Sequence, residues 1–183
     1  MFHCDIQAFS LLNLRRRYRY FFVFTRQQIE EIISDNLPVA YQGNALDFIR
    51  FLRENEMELI RDNGYWENKI YYLIKFQNKY MCFIAIKDPD EKDNFWTVWS
   101  DDCSSNWLEN FPIETELKET AWEHADVCQN CGSCSGGRKK IIFGKEFDNI
   151  CSTTFRFDNP DAADLLFMKK LLSAGKREIL QGN

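Results

Sequence analysis

Histidine is scarce in this chain: two among 183 residues, His3 and His124. Catalytic zinc sites and base-assisted nucleophiles lean on imidazole, so the scarcity weighs against both. Familiar catalytic patterns are missing as well. There is no G-x-G-x-x-G, no phosphate-loop G-K-[ST], no G-x-S-x-G and no H-E-x-x-H. The zinc-deaminase pattern is not met, because Glu123 precedes the histidine and no proline precedes the cysteine pair. No residue stands out as catalytic. No apolar run approaches the roughly 18 residues of a membrane-spanning helix. A signal peptide is not expected either, since Arg15-Arg16-Arg17 follows the first apolar residues and no small-residue cleavage site comes after it. The expected location is the cytoplasm, without a membrane partner. The net charge of −5 supplies no general basic field, so nucleic acid is not an expected partner.

What is present suits one folded domain of ordinary size. Hydrophobic residues make up 45% and charged residues 28%, a balance that excludes wholesale disorder. Aromatics reach 15%, mostly phenylalanine. Their plain reading is a Phe-rich core, and their sharper one is an aromatic pocket with Tyr72, Phe83, Trp96 and Trp99 as candidates. Residues 1–24 read as a peripheral extension: an apolar run, a basic run and an aromatic run in succession. Residues 25–183 then form a single domain with a cysteine-rich subregion at 124–157.

Thr25 and Gln28 form a capping-box pattern before Ile29, Ile32 and Ile33, and Asn36-Leu37-Pro38 stops that helix. A second helix is expected from Asn44, with Asn63-Gly64 closing the region. At residue 70 the period changes. Ile70–Phe76 and Lys79–Ile86 read as a hairpin across Gln77-Asn78, apolar on both faces. Phe95–Trp99 is a third strand, and the turn at Asp101–Asn106 leads to a short helix at Trp107-Leu108. Ile113–Val127 is expected to be a helix. Strands at Lys139–Phe143 and Asn149–Phe157 follow as a second hairpin across residues 144–148. Asn159 as N-cap, with Pro160 behind it, opens a last helix to Gly175. Hairpins dominate, so the class is α+β: a mostly antiparallel sheet of about five strands packed with helices.

The sharpest local feature is Cys128-Gln-Asn-Cys131-Gly-Ser-Cys134-Ser-Gly-Gly. Three thiols at this spacing fold readily around one ion, and Gly132, Gly136 and Gly137 are expected to supply the positive φ of such turns. A tetrahedral site needs a fourth ligand. Cys151, on the hairpin that leaves the loop, is the candidate, with His124 as its competitor. Zinc in a structural role is the expected ion. An iron–sulfur cluster is the lesser alternative, because its sequence run wants a further Cys and Pro where Arg138 and Lys139 stand. A thiol–disulfide site at Cys131-Gly-Ser-Cys134 is the third reading. It would place the motif behind a helix C-terminus, which disfavours the thiolate, with Arg138, Lys139 and Lys140 in partial compensation. Cys4, Cys82 and Cys103 are scattered, and Cys82 reads as a core residue. The carboxylates Asp88, Asp90, Glu91 and Asp93, with Asp101 and Asp102, read as acidic surface loops.

At this cysteine segment, with Phe143-Gly-Lys-Glu-Phe-Asp-Asn-Ile-Cys151 and Asn159-Pro-Asp161 after it, the chain resembles a family of small uncharacterised bacterial proteins of Firmicutes type. The likeness runs from about Ala45 to Ile179 and leaves residues 1–24 outside. That family brings no assigned activity, so the resemblance implies no catalytic residue. More loosely, the order of elements looks like that of small YjbR-like α+β proteins, which implies a fold and little else. The sequence thus points to a non-catalytic, zinc-stabilised domain that binds a small molecule or a protein. The alternative is a thiol- or metal-responsive redox protein working through the Cys loop.

Overall fold

The structure, a computed structural model, describes residues 29–62, 70–86, 92–101, 107–109, 112–130 and 136–182. The extension at 1–24 and the Thr25 cap lie outside the described residues. Among the described residues, four helices and seven strands make an α+β fold. Residues 29–36 form α1, followed by α2 (Val39–Glu54), β1 (Glu58–Asp62), β2 (Ile70–Phe76), β3 (Lys79–Ile86) and β4 (Trp96–Ser100). A 3-10 turn at Trp107–Glu109 leads to α3 (Thr115–Glu123), β5 (Ala125–Val127), β6 (Arg138–Ile142), β7 (Lys145–Asp158) and α4 (Ala162–Gln181).

All strand pairings are antiparallel, in the order β1-β2-β3-β4-β7-β5, with β6 also paired to β7. Both hairpins turn on two residues of positive φ, Gln77-Asn78 (47° and 65°) and Phe143-Gly144 (48° and 86°). That geometry matches the right-handed twist of the flanking strands. Alternate residues of β2, β3, β4 and β7 enter the core: Tyr72 and Ile74, Ile84 and Ile86, Trp96 and Val98, Phe155 and Phe157. Helices α1, α2 and α4 bring Ile33, Phe48 and Phe167 into the same core. An ion pair from Lys169 to Asp47 ties α4 to α2, and the Lys169 hydrogen bond holds the Asp47 carboxyl below its ordinary range. No described helix is long and apolar enough to cross a membrane.

Several boundaries differ from the sequence reading. The second hairpin turns at Phe143-Gly144 rather than across residues 144–148, so that Lys145 already pairs with Ile142. Helix α2 starts directly behind Pro38, which fits the helix N-cap with φ −55°, so Asn44 is internal. It ends at Glu54 rather than at Asn63-Gly64. Glu56 takes φ 59°, with Glu56 N–H donating to the Arg53 carbonyl (2.9 Å) and Met57 N–H to that of Leu52 (3.0 Å). This is the Schellman stop, made without glycine. The chain then forms the polar edge strand β1, one of the two strands beyond the five expected. The other is β5: α3 stops at Glu123, and Ala125–Val127 pairs with β7. Helix α4 is capped by Asp161, not Asn159. The Asp161 carboxylate accepts the Ala163 and Asp164 N–H groups, and Asp164 reciprocates. Asn159 instead holds the start of β4, its side-chain oxygen accepting the Phe95 (2.8 Å) and Trp96 (3.3 Å) N–H groups. The helix also runs through Gly175 to Gln181. Burial of Ile179 on its inner face outweighs the propensity cost of one glycine.

Candidate functional site

The cysteine loop leaves the sheet at the end of β5 and returns at β6, and both ends rest on one residue of β7. On the outgoing side the Cys128 N–H donates to the Asn149 carbonyl (2.8 Å), and the Asn149 side-chain amide donates to the Cys128 carbonyl (3.1 Å). On the returning side, a Cβ on Gly137 would meet the Asn149 side-chain oxygen at 2.2 Å and its backbone at 2.7 Å. Asn149 takes φ 57° to serve both ends, a conformation asparagine tolerates better than most residues. The expected role of the glycines divides accordingly. Gly136 does take positive φ (93°), whereas Gly137 is needed for close approach. Gly132 lies outside the described residues.

Cys128 is buried, and its sulfur accepts the Asn130 N–H at 3.4 Å, with Asn130 at φ 55°. The turn aims a backbone donor at the sulfur two residues behind it, while the thiol donates to the Asn130 side-chain oxygen (3.8 Å). Cys131 and Cys134 lie outside the described residues. Cys151 sits half-buried on β7, two residues beyond Asn149. The Asp126 carboxyl accepts the Thr153 hydroxyl (3.0 Å). Burial pushes that carboxyl above its usual range, against the pull of Thr153, of Arg156 and, least, of the Cys151 thiol. Among the described residues, no three His, Cys, Asp or Glu side chains gather as a metal-holding group.

His124 does not point toward the loop, as a helix-borne ligand would have to. It is the C-cap of α3, and its ring turns to β7 and α4. Nδ1 lies 3.2 Å from the Arg156 carbonyl oxygen and Nε2 3.2 Å from the Asp164 carboxylate, with the ring stacked on Phe157. The basic residues behind the loop are also engaged. Lys139 pairs with Glu146 (2.6 Å), and Lys140 donates to the Thr154 hydroxyl (2.5 Å) and the Ser152 carbonyl (3.4 Å). A strand, rather than the expected helix end, precedes Cys128, so no helix C-terminus adjoins the motif.

The four aromatic pocket candidates divide between the two faces of the sheet. Tyr72 and Trp96 belong to the core beneath the helices. Phe83 and Trp99 lie on the opposite face, gathered around Tyr71 at ring distances of 6.0 and 6.4 Å. Strand alternation separates the pairs, so they do not line one cavity. The Tyr72 hydroxyl and Trp96 Nε1 are buried without a hydrogen-bond partner among the described residues. Cys82 is fully buried in the core, as its place inside a strand implies. Asp88, Asp90, Glu91, Asp102, Cys4 and Cys103 lie outside the described residues. Asp93 is exposed, and its carbonyl accepts the Asn159 side-chain amide (2.7 Å).

Sequence reasoning missed Asn130, Asn149 and Asp126. The two asparagines carried a readable signal, since each stands where a turn or bulge needs left-handed backbone beside a cysteine. Asp126 had none, because a strand had to replace the helix end before it could face Cys151. Comparison with protein-family models, curated proteins and solved structures found no match.

Proposed function

We propose that this is a non-catalytic α+β domain, acting through a small-molecule or protein partner, whose cysteine loop is closed by a structural zinc ion. Cys128, Cys131 and Cys134 would hold the ion, with Cys151 as the fourth ligand. The supporting observation is the double anchoring on Asn149. Only residues 131–135 separate the two described ends of the loop, and those ends meet two residues from Cys151. The buried Cys128 sulfur, already accepting a backbone N–H, is suited to be a thiolate ligand. A set of four thiolates favours zinc or an iron–sulfur cluster over hard cations.

Two observations weigh between the readings. Both ring nitrogens of His124 are occupied by Asp164 and Arg156, which favours Cys151 as the fourth ligand. Lys139 and Lys140 are paired elsewhere and so do little to lower a thiol pKa in the loop, which disfavours the redox reading. The likeness to the bacterial family that shares the cysteine segment belongs to the same proposal.

Metal analysis of protein purified under reducing conditions is the test. One zinc per chain is expected, with loss of the fold on chelation. Cys128→Ser, Cys131→Ser and Cys134→Ser should each lose the metal and lower stability, while His124→Ala should keep the metal. A brown protein containing iron would overturn the reading. So would a metal-free protein with a reversible Cys131–Cys134 disulfide.

A further inference from the structure

His124 has a hydrogen-bond acceptor at each ring nitrogen: the Arg156 carbonyl at Nδ1 and the Asp164 carboxylate at Nε2, both 3.2 Å away. A neutral imidazole carries one N–H and one lone pair. In either tautomer, one of the two contacts would set a lone pair against an oxygen acceptor. Only the imidazolium satisfies both. The backbone supports the same state. His124 ends α3, and its N–H donates to the Thr120 carbonyl (3.2 Å). A helix C-terminus favours a cation. The Arg156 N–H donates back to the His124 carbonyl (3.0 Å), so the two residues exchange a pair of hydrogen bonds. Asp164 is fixed in turn by the capping box it makes with Asp161 at the start of α4. Phe157, stacked on the imidazole at 4.2 Å, shields one side of it from water.

We propose that His124 is a proton-dependent latch. Charged, it clamps the end of α3 and the start of β5 to both β7 and the first turn of α4. On losing its proton the ring must give up one of its two contacts, to the Arg156 carbonyl or to the Asp164 carboxylate.

The groups around it are accounted for. Asp164 faces it from α4, and Glu123 on α3 adds a weaker attraction. From β7 the Arg156 carbonyl and the uncharged Phe157 ring face it, the Arg156 guanidinium being paired with Asp158 and lying over the Trp99 ring. Asp126 of β5 is turned to Thr153 and Cys151. The Asp164 hydrogen bond holds the imidazole above its ordinary range, with burial opposing it. Burial would raise Asp164, but the His124 and Asp161 hydrogen bonds bring it below the usual carboxylate range. The sign follows. The His124 contribution is fully present below the ordinary histidine pKa and is lost as pH rises through the raised one. The Asp164 contribution is lost only in acid.

With two histidines in the chain, imidazole signals can be assigned by nuclear magnetic resonance from a His124→Gln variant. In the unmodified protein, the His124 ring should carry both protons at about pH 6 and titrate with a midpoint above about 6.5. Asp164→Asn should move that midpoint down. Because Asp164 also caps α4, the stability readout is a double-mutant cycle of His124→Gln with Asp164→Asn. Coupling should be clearly larger at about pH 6 than at about pH 9. A His124 midpoint at or below the ordinary value would overturn the proposal, as would coupling of equal size at both pH values. The ring titration needs only the unmodified protein, so a variant that fails to fold leaves the proposal open to refutation.

Discussion

A single methyl group at Gly137 decides whether the cysteine loop can close. The obstacle is the Asn149 backbone at 2.7 Å, which cannot swing aside as a flexible side chain could. Gly137→Ala is therefore expected to destabilise by about 1–3 kcal/mol, the usual cost of forcing extra atoms into a packed site. Urea unfolding would measure it. The same substitution at Gly43, where a Cβ meets nothing, should leave stability unchanged or slightly raised. At this scale the sequence was partly legible. Glycines in the loop were recognised as necessary, and the reason for one of them was not, because close approach involves a residue 12 positions away in the chain (149 − 137).

At the scale of elements, local chemistry and tertiary demand met most sharply at the ends of helices. Glu56 occupies the left-handed position that ends α2, where a glycine would be unstrained. Glu56→Gly is expected to raise stability by roughly 0.5–1 kcal/mol, read as a higher thermal midpoint. It removes a salt bridge to Lys176 at 3.6 Å, but Glu56 is largely exposed and the pair contributes little. The first hairpin was legible to the residue because its turn and its apolar runs are both local signals. The two strands that went unread have no such signals. β1 is a mostly polar edge strand, and β5 has three residues and exists only through its pairing with β7. The cap of α4 shows the same conflict. Asn159 and Asp161 are both good caps, and the backbone of β4 claimed the first of them.

Across the whole molecule, β7 is the element on which the parts converge. It pairs with β4, β5 and β6, anchors the loop at Asn149, carries Cys151 and accepts the His124 ring at Arg156. Phe155 lies fully buried at its centre, against Phe143 (6.3 Å) and edge-on to Phe167 of α4 (5.2 Å). Phe155→Ala should cost about 3–5 kcal/mol in denaturant unfolding. Its loss should also loosen the loop and the helix together, which hydrogen exchange at the Cys128 and Leu165 amides would report.

Composition, hydrophobic period and turn chemistry are local properties, so the chain by itself determined the α+β class, the two hairpins, the Phe-rich core and the cysteine segment as the leading candidate site. The tertiary structure decided what depends on distant partners. It divided the aromatic pocket candidates between two faces, because register sets which side of a sheet a residue occupies. It turned His124 from the loop toward Asp164, because two acceptors from different elements meet only in the folded chain. It brought the two ends of the cysteine loop to Asn149, since a bulge in a strand has no local spelling beyond one tolerant asparagine.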